Sequence, residues 1–305
     1  MRSINTRHIL SIALWSLTMV GCAPVSNSSP VGESISSHSP GQAAFVTDWS
    51  KPAAKGSAGA WASKQEWRPG RITFVNDPSS PKGGLVARIE VDPGDKVGGW
   101  TGERAEFSWM QDAQGKPFPV TAASGHEFYA VSVKLSPDWQ GPAPDTYNKS
   151  VWGIIFQLHG DDSLGSSPAI ALCATDSFHL EMDTGDVLQG GKRTKPQGVT
   201  PHEFSNGSLN KGQWVEFMMD IVWASDSKGS ITVYRRDQGG ASWQNVFQLK
   251  NTPTLQYATG HPVGDHYWKT GYYRSGSPFK SVLFLGPSAR GNSFDSVALA
   301  AFGQK

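Results

Sequence analysis

The sequence predicts an all-β fold, an antiparallel β-sandwich or jelly roll, on three observations. Apolar residues recur at period two in several segments, which marks strands with one packed face. Turn signals such as Asp92-Pro93-Gly94-Asp95, Ser136-Pro137-Asp138, Asp226-Ser227-Lys228-Gly229 and Gln238-Gly239-Gly240 separate those segments. The composition, with 34 Gly, 20 Pro and 12 Trp, suits many short strands better than helices.

The elements follow in order from residue 1. Arg2 and Arg7 form a basic region, Ile9 to Val20 is an apolar stretch of 12 residues, and small Gly21 precedes Cys22. An apolar stretch that short reads as a signal peptide over residues 1–21, not as a membrane span. Met19-Val20-Gly21-Cys22 resembles a bacterial lipobox, which implies that Cys22 is lipidated after cleavage. The expectation is an exported lipoprotein, anchored in the outer membrane and facing the periplasm or the cell surface. A plain secretory signal with an incidental cysteine is the alternative. Residues 22–42 are rich in Ser, Pro and Gly, with Glu33 the single charge, and are expected to form a tether reaching roughly 25 Å.

The folded domain is expected over residues 43–305. Leu85, Ala87, Ile89 and Val91 form one apolar face, Tyr129, Val131, Val133 and Leu135 a second, and Val215, Phe217, Met219, Ile221 and Trp223 a third. Three further strands are read at Gly102 to Trp109, Val151 to His159 and Tyr267 to Arg274. Their apolar sets are Ala105, Phe107 and Trp109; Trp152, Ile154, Phe156 and Leu158; and Trp268, Thr270 and Tyr272. After residue 21, no segment sustains a helical period for 12 residues.

Charge and cysteine content exclude several classes. Lys+Arg 27 against Asp+Glu 26 gives +1, and removing Arg2 and Arg7 with the signal leaves 25 against 26, or −1. No global field recruits a polyanion, so nucleic acid is not expected as a partner and preference for an anion rests on local groups. Cys173, the one cysteine besides Cys22, sits in an apolar run and reads as a small buried hydrophobe. A disulfide framework is excluded. The histidines lack paired ligand spacing, with His261 and His266 five apart and no second His beside His202-Glu203, so no metal site is expected. Structural calcium at Asp161, Asp162 or Asp183 stays open as an alternative without a supporting pattern; no cofactor is expected, and the chain is taken as a monomer.

The second faces of the last three strands carry chemistry. Arg104 and Glu106 share one face, Gln157 and His159 share another about 7 Å apart, and Lys269 and Tyr273 share a third with only Gly271 between them. Taken singly, each pattern fits an ordinary strand surface. Together they suit β-elimination on a uronic-acid chain, where the proton beside the carboxylate is scarcely acidic until that carboxylate is neutralised. Gln157, Arg104 and Lys269 could supply the donors. His159 could take the proton near neutral pH. Tyr273, tuned by a neighbouring cation such as Lys269, could protonate the departing O4. If both groups leave from one sugar face, Tyr273 serves as base and acid.

Arg104-Ala105-Glu106, Phe156-Gln157-Leu158-His159-Gly160 and Tyr267-Trp268-Lys269-Thr270-Gly271-Tyr272-Tyr273-Arg274 resemble, in order, three motifs shared by heparin lyase I, glucuronan lyase and the jelly-roll alginate lyases. The resemblance covers roughly Gly83 to Phe302, with a final strand at Ser296 to Phe302. It implies a concanavalin-like jelly roll with a concave substrate groove, His159 and Tyr273 as the proton-transfer pair, and Gln157 and Arg104 at the substrate carboxylate. Lys269, Glu106, Arg274 and Trp100 are expected to contact substrate. Arg274-Ser275 stands where alginate lyases tend to carry Asn-Gln, which favours glucuronan over alginate. A sulfated polymer is disfavoured, since the basic residues beyond this set cluster only at Lys192-Arg193 and Lys195.

Two rival readings remain open at this point. Glu181-Met182-Asp183-Thr184-Gly185-Asp186 superficially resembles the carboxylate motif of jelly-roll glucanases, but retaining hydrolysis needs two carboxyl groups about 5 to 5.5 Å apart and Asp186 is out of phase. A catalytically silent sugar-binding module could use exposed rings among Trp100, Trp139, Trp243 or Trp268, although it has no need of His159 and Tyr273 together.

Overall fold

A computed structural model describes residues 43–57, 59–98, 102–143, 151–160, 164, 167–189, 192–193, 199–260 and 263–303. Cys22, the expected signal peptide and tether, Trp100, Asp161 and Asp162 lie outside the described residues.

Period-two patterning yields two large antiparallel sheets. In one, the order across the sheet is Thr200–Glu203, Phe178–Met182, Ile170–Ala174, Gly153–His159, Tyr267–Arg274, Glu103–Met110 and Trp61–Glu66. The other runs Gln244–Lys250, Ser230–Asp237, Trp214–Val222, His126–Leu135, Ser281–Leu285, Leu85–Val91 and Ile72–Asn76, with Phe45–Val46 and Ala289–Gly291 joined beside it. A small sheet of Lys192–Arg193, Gly185–Gln189 and Gln256–Ala258 completes the described strands.

The main core lies between the two large sheets. Tyr129, Val131, Val133 and Leu135 meet Phe156, Leu158 and Trp268 there, as do Val215, Phe217, Met219, Ile221 and Trp223. Trp268 holds the centre, with edge-on contacts to Phe45, Trp61 and Tyr129. Each such ring buries on the order of 150–250 Å².

Four expectations about facing or element type are corrected. Residues Phe294–Phe302 form a helix, not a final strand. Ser293 caps it by accepting from the Ser296 N–H, and Gly303 closes it at a left-handed φ of 73°. Val297, Ala298, Ala301 and Phe302 then share a face that packs on Phe128, Ala130 and Met218, which buries Met218 on the sheet's outer side.

Within Gly153–His159, Ile154 pairs with Cys173 but Phe156 pairs with Leu172, so a bulge inserts Ile155. The extra residue sends Ile155 into the core and turns Ile154 and Trp152 to the opposite face, beside Ala171, Cys173 and Tyr273. Trp109 also leaves the core: its φ is 60° and its ring stacks on Tyr267 at 4.0 Å, while Met110 takes the core position. Leu85, at the start of its strand, is 39% exposed and does not join the face formed by Ala87, Ile89 and Val91.

Candidate active site

The outer face of the sheet that contains Gly153–His159 gathers the polar residues of three adjacent strands. Register places Lys269 beside Gln157 on one side and Ser108 on the other, Gly271 beside Glu106, Tyr273 beside Arg104, and Tyr267 beside His159. Tyr267, Lys269, Gly271 and Tyr273 therefore point one way while Trp268 and Tyr272 enter the core. Gly271 is required at the crossing point: a Cβ there would fall on the Glu106 Cα and the Ala105 carbonyl. It also lies where a bulge shifts the pairing with Gly153–His159 between Thr270 and Tyr273.

Glu106 is the hub of the floor. It is 1% exposed, and its Oε1 accepts from Lys269 Nζ at 2.7 Å and Arg104 Nη1 at 3.1 Å. Its Oε2 accepts from Gln157 Nε2 at 2.7 Å. Gln65, on the edge strand Trp61–Glu66, accepts from Arg104 at 3.1 Å and from Lys269 at 3.2 Å. Two buried cations thus surround one carboxylate, leaving the cluster at +1. The buried Gln157 Oε1 accepts no hydrogen bond among the described residues.

Above this floor stand the proton-transfer candidates, both partly exposed. The Arg104 guanidinium lies 3.7 Å from the centroid of the Tyr273 ring, and Trp152 meets that ring edge-on at 4.5 Å. Gly102 makes room for both rings, because a Cβ there would overlap the Tyr273 ring and come within 2.5 Å of Trp152. Burial pushes the Tyr273 phenol up from its ordinary value, while Arg104 acts in the opposite direction and Glu106 adds to the rise. The cation that tunes Tyr273 is accordingly Arg104, whereas the Lys269 ammonium sits against Glu106. His159 has its Nδ1 3.0 Å from the Gly160 carbonyl, which places a proton on Nδ1 and makes Nε2 the basic nitrogen. Its ring stacks on Tyr267 at 5.2 Å.

The remaining expectations divide. Arg274 is fully buried on the opposite face, bound to Glu103, Ser281 and the Phe279 carbonyl, so it offers nothing to a ligand. Strand alternation explains this, since Arg274 follows outward-facing Tyr273. Trp139 and Trp268 are buried, and Trp243 packs against Phe294 and Phe302. Asp186 binds Thr259 in the small sheet, while Glu181 lies beside His179 in the large one, so this motif is split between separate sheets. Buried His266 accepts from the Gln256 N–H and is a packing residue. Gln65, Trp109, Trp152 and Tyr267 join the site without having been singled out in the sequence. Tyr267 shares its face with Lys269, which was the available signal.

A family model described as polysaccharide lyase matches residues 53–286. The fold is similar to the crystal structure of an endo-β-1,4-glucuronan lyase from the fungus Trichoderma reesei, with TM-score 0.58 and 16% identity over 84% of this chain and 98% of that one. It is also similar to a marine PL-14 alginate lyase from Aplysia kurodai, with TM-score 0.53 and 10% identity over 83% of this chain and 100% of that one. Among curated protein sequences none matches.

Proposed function

Since the chain belongs to the polysaccharide lyase family, we propose that it cleaves a uronic-acid-containing polysaccharide by β-elimination, glucuronan first and alginate second. The observation that carries this reading is the +1 floor of Arg104, Lys269 and Glu106 lying beneath Tyr273 and beside Gln157 and His159. A uronate carboxylate set above that floor meets a net positive charge, which stabilises the enolate-like state formed when C5–H is lost. Comparable oxyanion donors are each worth about 2.7 to 4 kcal/mol of barrier. The orphan Gln157 Oε1 suits a sugar hydroxyl, or the carboxyl group in its protonated form.

The electron count closes without a redox step. His159 Nε2 accepts the C5 proton, or, when both groups leave from one sugar face, Tyr273 accepts it as the phenolate and so becomes the phenol that serves as acid. The C–H electrons form the C4–C5 double bond, the C4–O4 bond breaks, and the Tyr273 phenol protonates O4. A phenol held protonated by burial suits the acid step. The chain ends as an unsaturated uronate and a new sugar hydroxyl. Side chains carry every transfer, so the reaction as proposed uses no cofactor. The same reading keeps the exported, lipid-anchored location expected from Cys22, which puts the enzyme where polymers are met.

Glucuronan stands first because Arg274-Ser275 replaces the Asn-Gln of alginate lyases as a mark of kinship, Arg274 itself being buried away from the ligand face, and because the fold is similar to that of a glucuronan lyase. The test is to present glucuronan, alginate, hyaluronan and heparin to the purified protein and follow ultraviolet absorbance of the new double bond. Growth on glucuronan above the rest is expected. New reducing ends without absorbance would indicate hydrolysis, and binding without either product would indicate a silent module.

A further inference from the structure

The same sheet face carries a second cluster that elimination does not use. Cys173, His179 and Glu181 lie on the hairpin Ile170–Ala174/Phe178–Met182, where Cys173 pairs directly with His179 and Ala171 with Glu181. Alternation puts all three side chains on one face. One ligand atom from each, a thiol sulfur, an imidazole nitrogen and a carboxylate oxygen, lies within 4.8 Å of the other two.

We propose that Cys173, His179 and Glu181 bind a thiophilic divalent cation of the zinc class, in a three-ligand site beside the substrate face. Three features carry this. His179 Nε2 and Glu181 Oε1 stand 3.6 Å apart, beyond good hydrogen-bond length. Two ligands sharing a tetrahedral zinc at bonds of about 2.0 to 2.2 Å are separated by roughly 3.3 to 3.6 Å. His179 Nδ1 faces the Ser177 carbonyl at 3.3 Å, so its proton is directed there and the Nε2 lone pair is turned toward the cluster. That backbone contact is the outer support by which metal-ligating histidines are held. The ligand set, soft sulfur with imidazole and one carboxylate, suits zinc and disfavours calcium or magnesium, which take oxygen ligands. On binding, the thiol proton passes to solvent and the thiolate charge is neutralised by the cation.

The position gives the site a consequence. Register aligns His179 with Cys173, Cys173 with Ile154, and Ile154 with Tyr273, so Cys173 lies two strand spacings, about 10 Å, from Tyr273 and His179 one spacing further. Glu181, partly exposed, is the side of the cluster open to solvent. A fourth ligand, water or a polymer oxygen, completes the tetrahedron there. Given the lyase activity proposed above, zinc competes with the polymer for this face.

The test separates the two. The full chain carrying Cys22→Ser retains Cys173 as its one thiol. Titration with Co2+ is expected to give thiolate-to-cobalt charge-transfer absorption that Zn2+ abolishes by displacement. Added Cys173→Ser should remove that band, and added Glu181→Gln, at a partly exposed position that does not threaten the fold, should weaken Co2+ binding at least about tenfold. Absence of a thiolate band in the parent chain, or equal Co2+ affinity with and without Glu181→Gln, overturns the site. Zinc inhibition of polymer cleavage, relieved by a chelator and lost in Glu181→Gln, supports the competition. A chain inactive on every polymer that still shows the cobalt band would sink the lyase reading and leave the metal site standing.

Discussion

The guanidinium of Arg104 lies 3.7 Å from the Tyr273 ring centroid while its Nη1 reaches Glu106 at 3.1 Å, so one residue links the partly exposed phenol to the buried floor centred on Glu106. A lysine in its place keeps the charge but loses the flat stacking surface and the placement of Nη1, which donates to both Gln65 and Glu106. Arg104→Lys is expected to lower kcat about 100-fold, the scale of one lost oxyanion donor, in steady-state absorbance assays.

The same contact fixes a sign in pH dependence. Burial holds the phenol above its ordinary value of about 10 and Arg104 opposes that rise. An alkaline limb set by loss of the Tyr273 proton therefore lies above the free-phenol range. Arg104→Gln removes the opposing cation and moves this limb further up, measured as kcat/KM against pH. A limb that moves down would contradict the assignment of the proton to Tyr273.

Glu106 makes a stability prediction. Its carboxylate is fully buried between Lys269 and Arg104, so Glu106→Ala leaves two buried cations without their shared partner. Breaking one side of a buried ion pair costs about 3 to 5 kcal/mol. Urea unfolding should show a midpoint lowered accordingly with an unchanged slope. Lys269→Met together with Glu106→Ala should recover part of the loss, since it removes one of the stranded charges.

Strand parity made much of this legible in the sequence. Residues two apart share a face, which set Arg104 with Glu106, Gln157 with His159 and Lys269 with Tyr273, and the same rule turns Arg274 away from substrate. The bulge at Ile155 left a mark in the sequence, since Ile154-Ile155-Phe156 puts three apolar residues in a row and breaks the alternation, but which of them is inserted shows only in the partner strand, where Phe156 meets Leu172. Trp152 and Ile154 changed faces for that reason. The helix Phe294–Phe302 spans nine residues, too short for a 12-residue periodicity test. Gln65 joins the site through pairing with a strand some 40 positions on, which no local pattern encodes.

The anchoring expectation has its own test. If Cys22 is lipidated, Cys22→Ala releases the protein from the membrane fraction, and mass spectrometry of the mature N-terminus finds no acyl groups. An unchanged partition between soluble and membrane fractions would favour the plain secretory signal. Dual acyl chains give stable anchoring, so the expected shift is from essentially all bound to essentially all soluble.

Trp109 offers the sharpest separation of activity from stability. Its φ of 60° is a left-handed conformation that a bulky side chain rarely adopts, at a cost of roughly 1 to 2 kcal/mol. Stacking on Tyr267 offsets this by about 0.5 to 1.5 kcal/mol, and Tyr267 in turn lies against His159. Glycine accepts that backbone freely, so Trp109→Gly relieves the strain as it removes the stack, and the melting temperature should move by only a few degrees. Tyr267 then loses the ring behind it, and the imidazole gains freedom to turn from the substrate. We expect kcat to fall about tenfold with KM little changed, a split that a purely structural role for Trp109 would not produce, and Trp109→Phe, which restores a stacking ring, should recover most of the rate.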